Sequence, residues 1–240
     1  MRLISWNIRG GRHSDVVAAI QRLRPDVAVL VDCKEKRVET IVTKAAEAGF
    51  THHLSSCTDY TGILMLSTHP MFQGDIVQVD MPHRWLHAVS DHWDLEIAAM
   101  YGPLPKAIRQ ERTMKEFWNW LVPASDRLVL RRAVLCGDFN TGISGQDGPD
   151  DYRFSSANQF KELEVQGWRD AYRELHPEGL QRSWWRNGRG FRIDHCMLSR
   201  ELRAPTRVDY TTETGGLVLG SSASDQSAAI SDHAAMVLDF

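Results

Sequence analysis

An apolar run at residues 133–136 stops abruptly at the tetrapeptide Gly-Asp-Phe-Asn, residues 137–140. The run has the length and composition of a buried β-strand, so the polar residues after it are expected at the carboxyl end of that strand. In α/β proteins the chemistry usually lies at this end of the strands. The segment predicts a carboxylate, Asp138, beside an amide, Asn140, in a site. A turn that merely closes a strand has the same composition.

Other strand-like runs in the chain also end in Asn, Asp or His. The first run, residues 2–6, ends at Asn7, and the run at residues 27–31 ends at Asp32. The full set of residues that end or closely flank such runs is Asn7, Asp32, Tyr101, Asp138, Asn140, Asp194, Asp232 and His233. Each of them taken singly fits a turn or a surface charge. Together they predict one rim that carries four carboxylates.

Periodicity predicts short helices and strands along the rest of the chain. Helices are predicted at residues 14–23, at 37–48, around 108–121 and from about 155. Strands are predicted at residues 63–66, 75–79, 85–89, 95–100 and 234–240, with a tight hairpin turn at Asn187-Gly188. Strand pairs mixed with single helices favour an α/β or α+β sandwich. Residues 123–132 are the best candidate for a seam between two halves.

Composition limits the kind of protein this can be. The 240 residues can bury a substantial core, and a net charge of −3 supplies no overall attraction for polyanions. The four cysteines show no CxxC spacing, which favours reduced thiols in a cytoplasmic protein. No apolar run reaches the ~18 residues of a membrane span, and the first residues do not look like a signal peptide. We expect a soluble cytoplasmic protein, and nothing in the composition indicates a protein partner.

The predicted rim has the chemistry of a metal-dependent phosphoesterase. Several carboxylates in one site repel one another unless a cation neutralises them. An oxygen-rich set of ligands without a Cys or His cluster suits Mg²⁺ or Mn²⁺ better than zinc. A hard cation beside an acidic base and a histidine is a common arrangement for attack on a phosphate ester.

Four motifs in order resemble one known family. They are Ser-Trp-Asn at residues 5–7, Gly-Asp-Phe-Asn at 137–140, Arg-Ile-Asp at 192–194 and Ser-Asp-His at 231–233. This order and spacing resembles the endonuclease/exonuclease/phosphatase superfamily, typified by exonuclease III and deoxyribonuclease I. The resemblance implies a single domain over residues 1–240 with a four-layered α/β sandwich, in which two mixed β-sheets pack face to face with helices outside. The seam would then divide two halves of that one domain.

The resemblance also implies roles for the catalytic residues. Asp138 would orient and deprotonate the attacking water, and Asn140 would hold that water or a phosphate oxygen. His233 would donate a proton or a hydrogen bond to a phosphate oxygen, with Asp194 holding the imidazole in place. Tyr101 would hydrogen-bond the phosphate. The expected reaction is in-line attack by water on a phosphate ester, with inversion at phosphorus.

The implied metal residues are Asp32, Asn7 and Asp232. Asp32 departs from the family, because it falls where the family has a glutamate that binds the metal. Aspartate is one methylene shorter, so either the metal moves or a water intervenes, and Glu35 is an alternative ligand. A second departure is Leu104, which stands where the abasic-site nucleases have asparagine and weakens the likeness to that subgroup.

The substrate is the least determined feature. Trp184, Phe191 and Ile193 match positions that wall a pocket for a baseless sugar in the abasic endonucleases, although two hairpin strands in a core would look the same. Candidate phosphate contacts are Arg9, Arg12, His83, Arg84, Arg186, Arg189 and Arg192. The sequence favours DNA as the partner, with abasic or 3′-blocked ends among its forms. A phosphatase or diesterase for a small molecule or lipid headgroup, and a non-catalytic phosphate-binding homologue, remain alternatives.

Overall fold

A computed structural model describes residues 1–10, 13–104, 108–221 and 228–240. Within these ranges the strands form two six-stranded sheets and two separate hairpins. The first sheet has the order β13 (Arg207–Thr211), β16 (Ala235–Asp239), β1 (Arg2–Asn7), β2 (Val27–Val31), β4 (Ile63–Ser67), β3 (His52–Ser55). The second has the order β5 (Phe72–Gln73), β6 (Trp85–Ser90), β7 (Leu95–Tyr101), β8 (Ala133–Asp138), β12 (Asp194–Leu198), β9 (Arg169–Asp170). The hairpins are β10 (Trp184–Arg186) with β11 (Arg189–Phe191), and β14 (Glu213–Thr214) with β15 (Leu217–Val218).

Helices cover the outer face of each sheet. The first sheet packs against α1 (His13–Leu23) and α2 (Glu35–Glu47), and the second packs against α3 (Ile108–Leu128) and α4 (Ala157–Gln166). A short helix, α5 (Ala171–Leu175), lies beside β12 and β13. None of the described helices is both long enough and apolar enough to cross a membrane.

The central strands bury both of their faces. In β2, Val27, Val29 and Val31 pack between the two sheets, while Ala28 and Leu30 face the helices. A strand that is covered on both sides needs apolar residues at every position, which explains the continuous apolar runs in the sequence. The predicted four-layered sandwich of two mixed sheets with outer helices is confirmed.

The predicted hairpin turn is also confirmed. Asn187 and Gly188 join β10 to β11, and both have positive φ, 51° and 72°. Positive φ at both central residues is the geometry of a type I′ turn, for which Asn-Gly is the preferred pair. The sequence therefore fixes this turn locally.

The strand predicted at residues 75–79 is wrong. Side chains, rather than a neighbouring strand, hydrogen-bond the backbone N–H and carbonyl of Ile76. The N–H of Ile76 donates to Nδ1 of His87, and Nε1 of Trp85 donates to the carbonyl of Ile76. Val77 and Val79 are 56% and 78% exposed. Apolar residues alternate here as they do in a strand, but the segment forms no strand.

Residues 123–132, the predicted seam, lie in the part of the chain that forms the second sheet and its helices. Residues 123–128 form the end of α3, and Leu128 and Val129 are fully buried beneath it. The chain crosses from the first sheet to the second between β4 and β5, and it returns between β12 and β13. Pro123 lies inside α3 and does not end the helix.

Candidate active site

Three of the predicted site residues lie in one row at the end of the second sheet. Asp138 is the last residue of β8, and its register pairs it with Tyr101 in β7 and Asp194 in β12. Gly137 allows the close approach of β7, because a Cβ at this position would lie 2.0 Å from the carbonyl oxygen of Met100. Strand register therefore brings together three residues that are far apart in the sequence.

The first sheet brings Asn7 to the same place. β1 and β2 run parallel, so Asn7 and Asp32 both lie at the carboxyl end of their strands. Nδ2 of Asn7 donates a hydrogen bond of 2.8 Å to Oδ2 of Asp138, and both side chains are buried. This bond connects the two sheets directly at the site.

His233 completes the buried set from the segment before β16. Its Nδ1 lies 2.8 Å from Oδ2 of Asp194, and its Nε2 lies 4.0 Å from Oδ2 of Asp138. Burial opposes the charged imidazolium, but the negative charge and hydrogen bond of Asp194, with the charge of Asp138, raise the pKa of His233 to about 9. The imidazole is therefore protonated at neutral pH, and its Nδ1–H donates to Asp194.

For the carboxyl group of Asp138, burial and a neighbouring negative charge outweigh the groups that favour its charged form. Burial and the negative charge of Asp194 raise the pKa of Asp138 above its ordinary value, although His233 and the donors from Asn7 and Asn140 lower it in part. Oδ1 of Asp194 is buried without a hydrogen-bond partner in the described part of the chain. The site thus holds more acceptors than its own donors satisfy.

Ser231 holds the two ends of the chain together behind the imidazole. Its hydroxyl donates to the carbonyl of Asn7 at 2.7 Å and accepts the N–H of His233 at 3.1 Å. Nε1 of Trp6 donates to the carbonyl of His233 at 2.9 Å. Ser231 and Trp6 belong to the motifs noted above, but their role depends on contacts across more than 220 residues, which a single sequence does not reveal.

Ser183 and Tyr210 support Asp194, and the sequence analysis missed both. The hydroxyl of Ser183 accepts the N–H groups of Ile193 and Asp194 at 3.0 and 3.1 Å. The phenol of Tyr210 donates to the carbonyl of Asp194 at 2.7 Å. The only local signal was that Ser183 precedes the aromatic pair at residues 184–185.

Asp32 lies directly after β2 with a φ of 56°, in the left-handed region. Its Oδ1 accepts a hydrogen bond of 2.6 Å from the hydroxyl of Thr61. Burial raises the pKa of Tyr101, and the charges of Asp138 and Asp32 raise it further, so both carboxylates act on one phenol. Glu35, the alternative to Asp32, is exposed at the first residue of α2.

Asp232, Trp184 and Arg9 form the outer part of the site. Nε1 of Trp184 donates to Oδ2 of Asp232 at 2.9 Å, and Nε of Arg9 lies 3.8 Å from Oδ1. The Arg9 side chain is 62% exposed. Phe191 is 5% exposed, and its ring centroid lies 5.5 Å from that of Trp184. For Phe191 the structure therefore favours a core role, in which the ring supports Trp184.

Asn140 and Arg84 hold the loops beside Asp138 and Tyr101. The N–H of Asn140 donates to Oδ1 of Asp138 at 2.9 Å, and its Nδ2 donates to the carbonyl of Gly102 at 2.7 Å. Nη1 of Arg84 donates to the carbonyl of Tyr101, and its guanidinium carbon lies 5.0 Å from the centre of the Tyr101 ring. No residue in the described part of the chain donates to Oδ1 of Asn140.

The prediction that Arg192 contacts a substrate is wrong. Arg192 is fully buried, and its guanidinium forms ion pairs of 2.6 Å with Asp147 and 2.7 Å with Asp170. Burial of an arginine requires such charged partners, and the sequence did not show that two aspartates meet it there. Arg192 therefore anchors the strand that carries Asp194.

The other predicted phosphate contacts differ in their availability. Arg186 is exposed near the hairpin turn, whereas Arg189 forms an ion pair with Asp151. His83 is half-buried in the short 3₁₀ helix Pro82–Arg84. Arg12 lies outside the described residues. Arg9 and Arg186 are thus the basic groups that are most open to a substrate among those placed here.

The donor set of the site fits a hard divalent cation. Asp138, Asp194 and His233 offer ligand atoms that all lie within 4.8 Å of one another. Oδ1 of Asp194 has no hydrogen-bond partner among the described residues. Asp32 lies outside this group of three, but its charge, like that of Asp138, acts on Tyr101. A concentration of carboxylate and amide oxygens suits Mg²⁺, Mn²⁺ or a similar ion.

Several solved structures share the fold over the whole chain. A 3′-5′ exonuclease from Neisseria meningitidis has a TM-score of 0.79 at 20% identity, with 100% of this chain and 99% of that chain covered. An AP endonuclease from Archaeoglobus fulgidus has a TM-score of 0.82 at 16% identity, with the same coverage of 100% and 99%. A 3′ phosphatase from Neisseria bound to product DNA hairpin has a TM-score of 0.80 at 20% identity, again covering 100% and 99%. At these identities the likeness establishes the fold alone.

Sequence comparison gives the family. No curated protein matches the chain by sequence. The pattern of the Endonuclease/Exonuclease/phosphatase family matches residues 4–233, a span that begins in β1 and ends at His233. Because this match covers nearly the whole chain, the protein belongs to the endonuclease/exonuclease/phosphatase family.

Proposed function

We propose that this protein is a divalent-cation-dependent phosphoesterase that hydrolyses phosphodiester or terminal phosphomonoester bonds of DNA. The observation that carries the proposal is the buried, hydrogen-bonded set of Asn7, Asp138, Asp194 and His233. It joins both sheets and both ends of the chain in one place. A buried cluster of two carboxylates and an imidazole is costly to assemble, and such groups are concentrated at functional sites.

Asp138 acts as the base in this proposal. Asn7 donates to one carboxylate oxygen and the N–H of Asn140 donates to the other, so the carboxylate is fixed in orientation. A general base works best when its pKa is close to the working pH, and the raised pKa of Asp138 moves it in that direction. Asp138 takes the proton from the attacking water.

His233 supplies the positive donor in this proposal. Its Nδ1–H is held by Asp194, so the ring orientation is fixed and the Nε2–H is free to donate to a phosphate oxygen. Donors that are aimed at developing negative charge stabilise the transition state. Tyr101 donates a further hydrogen bond to the phosphate. Asn140 holds the attacking water, which donates to its Oδ1, or a phosphate oxygen through the second hydrogen of Nδ2. Asp194 is a positioning residue for the imidazole.

Asp32, with Asn7 and Asp232 beside it, would hold the cation, which we propose to be Mg²⁺ or Mn²⁺. A bound divalent cation neutralises phosphate charge and polarises a phosphoryl oxygen. Asn7 and Asp232 already have hydrogen-bond partners in Asp138 and Trp184. Asp32 likewise has one partner, since its Oδ1 accepts from the hydroxyl of Thr61, and no described residue donates to its Oδ2, which we propose as the ligand oxygen.

DNA is the substrate that the surroundings of the site support best. The half-buried ring of Trp184 lies 6.1 Å from the His233 ring, and Arg9 is exposed next to Asp232. Aromatic and basic groups at a phosphate site suit a nucleic-acid strand. The structural neighbours include an exonuclease, an AP endonuclease and a DNA-bound 3′ phosphatase. We infer a role in DNA repair in the cytoplasm, where free cysteines such as these four persist.

A substrate panel tests the proposal. The panel contains duplex DNA with a 3′-phosphate, duplex DNA with an abasic site, undamaged duplex DNA, single-stranded DNA, a nucleotide and an inositol phosphate. Each substrate is incubated with Mg²⁺, with Mn²⁺ or with a chelator. Cation-dependent release of phosphate or cleavage of DNA is expected, and turnover of the inositol phosphate alone would contradict a DNA substrate.

Variants connect the activity to the site. Asp138→Asn and His233→Ala are each expected to lower kcat by about 10²–10⁴-fold, because each removes a group that moves or donates a proton. Asp91→Asn and His53→Ala replace the same residue types at exposed positions and serve as controls. Circular dichroism verifies folding. Near-normal turnover by the Asp138 or His233 variant would contradict the assigned roles.

A further inference from the structure

Asp32 has an unusual local geometry. It occupies the left-handed region with a φ of 56°, a conformation that aspartate tolerates better than most residues. The N–H of Gly10 donates to the carbonyl of Asp32 at 2.8 Å, and the N–H of Cys33 donates to the carbonyl of Gly62 at 3.0 Å. These two bonds hold the peptide unit after the Cα of Asp32, and the N–H of Ile8 donates to the carbonyl of Val31 before it at 2.9 Å.

Thr61 lies on a closed loop opposite Asp32. Both the N–H and the hydroxyl of Thr58 donate to the carbonyl of Thr61, at 2.9 and 2.7 Å. The N–H of Glu35 donates to the carbonyl of Thr58. Gly62 lets the loop close tightly, since a Cβ there would lie 2.3 Å from Cα of Cys57. Thr61 is thus a fixed hydroxyl rather than one that swings in solvent.

The hydroxyl of Thr61 binds only one oxygen of the Asp32 carboxylate. The bond to Oδ1 is 2.6 Å long, a short distance that is typical of a hydroxyl donating to a charged acceptor. Among the residues that the structure describes, none donates to Oδ2. The terminal torsion of aspartate is soft and roughly two-fold, so this bond selects the orientation of the carboxylate. It leaves Oδ2 as the oxygen available to a ligand.

We propose that Thr61 is a positioning residue that presents Asp32 as a one-oxygen ligand to the divalent cation. This inference rests on the proposed function, which places the cation at Asp32. Thr61 acts through Asp32 and does not itself touch the cation. Hydrogen bonds to a metal-binding carboxylate orient it and typically contribute 10–100-fold to metal affinity.

Direct measurement of Mn²⁺ binding tests the inference without relying on activity. The loss of the free Mn²⁺ signal in electron paramagnetic resonance gives the Kd for the wild type and for Thr61→Val, Thr61→Ser and Thr61→Ala. We expect Thr61→Val and Thr61→Ala to raise the Kd by about 10–100-fold and Thr61→Ser to restore it to near the wild-type value. Thr206→Val is the matched control, because the Thr206 hydroxyl also donates to an acceptor, the carbonyl of Asp239, at the opposite end of the sheet.

The Mn²⁺ affinities of the wild type and the variants decide whether Thr61 positions Asp32. Wild-type affinity in Thr61→Val overturns it while leaving the cation in the proposed function intact. Failure of the wild type to bind Mn²⁺ overturns both the cation site and the role of Thr61. If thermal unfolding shows that Thr61→Val does not fold, the difference between Thr61→Ala and Thr61→Ser decides. Equal affinities in these two variants would overturn the role of the hydroxyl.

Discussion

At the scale of single residues, the charge of His233 is set by neighbours from other parts of the chain. Asp194 hydrogen-bonds its Nδ1 and supplies the largest positive contribution to its pKa, which lies at about 9 despite burial. We predict that Asp194→Asn lowers the pKa of His233 toward the ordinary value of about 6.5. The removal of a negative charge destabilises the imidazolium, so the proton is lost at lower pH.

Nuclear magnetic resonance titration of the imidazole in the presence of a chelator measures this shift. The signal of His233 is assigned by its absence in a His233 variant. Asp91→Asn, at an exposed position, should leave the pKa of His233 unchanged. A pKa that stays at about 9 after Asp194→Asn would mean that another group maintains the charge.

Ser183 provides a second prediction at the residue scale. Its buried hydroxyl accepts two backbone N–H groups, those of Ile193 and Asp194. Ser183→Ala leaves both donors buried without that acceptor, and we expect the free energy of unfolding to fall by about 1–3 kcal/mol. Urea denaturation measures the change.

Ser55→Ala is the matched control for Ser183→Ala. The Ser55 hydroxyl also accepts a backbone N–H, that of Cys57, but in an exposed position where water can replace it. The control should change the free energy of unfolding by much less. Equal losses of unfolding free energy in the two variants would show that burial of the hydroxyl does not determine the effect of removing it.

At the scale of elements, Arg192 ties β12 to neighbouring segments. Its guanidinium is paired with Asp147, which precedes α4, and with Asp170, which caps α5. We predict that Arg192→Met lowers the free energy of unfolding by about 3–5 kcal/mol, because it removes the cation that two buried carboxylates share and leaves Asp147 with Arg173 and Asp170 with His195 alone. Chemical denaturation followed by circular dichroism measures the loss.

An exposed ion pair supplies the comparison for Arg192. Arg207 pairs with Asp209 on β13, and the Arg207 side chain is 51% exposed. Arg207→Met should change the free energy of unfolding by about 1 kcal/mol or less, as exposed pairs contribute little. A similarly small effect of Arg192→Met would show that its carboxylates find other partners.

The sequence predicts those elements whose pattern is local. Continuous apolar runs identify the buried strands β2 and β8, and Asn187-Gly188 identifies its turn. The predictions that failed concern residues whose role depends on partners elsewhere in the chain. Residues 75–79 alternate like a strand, but the side chains of Trp85 and His87 take up the backbone groups of Ile76. Arg192 looks like a surface cation because the two aspartates that bury it are 22 and 45 residues away.

The sequence identified which strand ends contribute to the candidate site, but it did not predict the distances and hydrogen bonds between them. Polar residues after apolar runs marked Asn7, Asp138 and His233, and the structure brings these three together. Thr61 and Ser183 carry no comparable signal, because a lone hydroxyl in a loop has many roles, and Ser231 stands in a motif that does not show what its hydroxyl binds. Their hydrogen bonds become apparent only once strand register places the loops side by side.

At the scale of the whole molecule, the two ends of the chain form the centre of one sheet. β1 lies between β16 and β2, and the amino group of Met1 donates to the carbonyl of Phe240 at 3.1 Å. The same pairing places the segment just before β16 beside the end of β1, where Ser231 donates to the carbonyl of Asn7 and Trp6 donates to the carbonyl of His233. Formation of the site therefore requires closure of the entire fold.

The buried acids also determine how the whole molecule responds to pH. Burial disfavours the charged carboxylates of Asp147 and Asp170, but Arg192 and His195 outweigh it and lower the pKa of both. A carboxyl pKa that is lower in the folded state than in the unfolded state contributes stability above the unfolded value of about 3.9. That stability is lost as the pH falls through the folded pKa.

We therefore predict that the free energy of unfolding decreases as the pH falls below about 4, and that this decrease is smaller in Arg192→Met. Without Arg192 the protonated form of the two buried carboxyl groups is favoured. Lowering the pH therefore reduces the loss of unfolding free energy that the variant shows relative to the wild type. Urea unfolding of both proteins at neutral pH and at several acidic values measures the difference between them. The difference should narrow as the pH falls, whereas a constant difference would mean that Arg192 stabilises the fold by packing rather than by its charge.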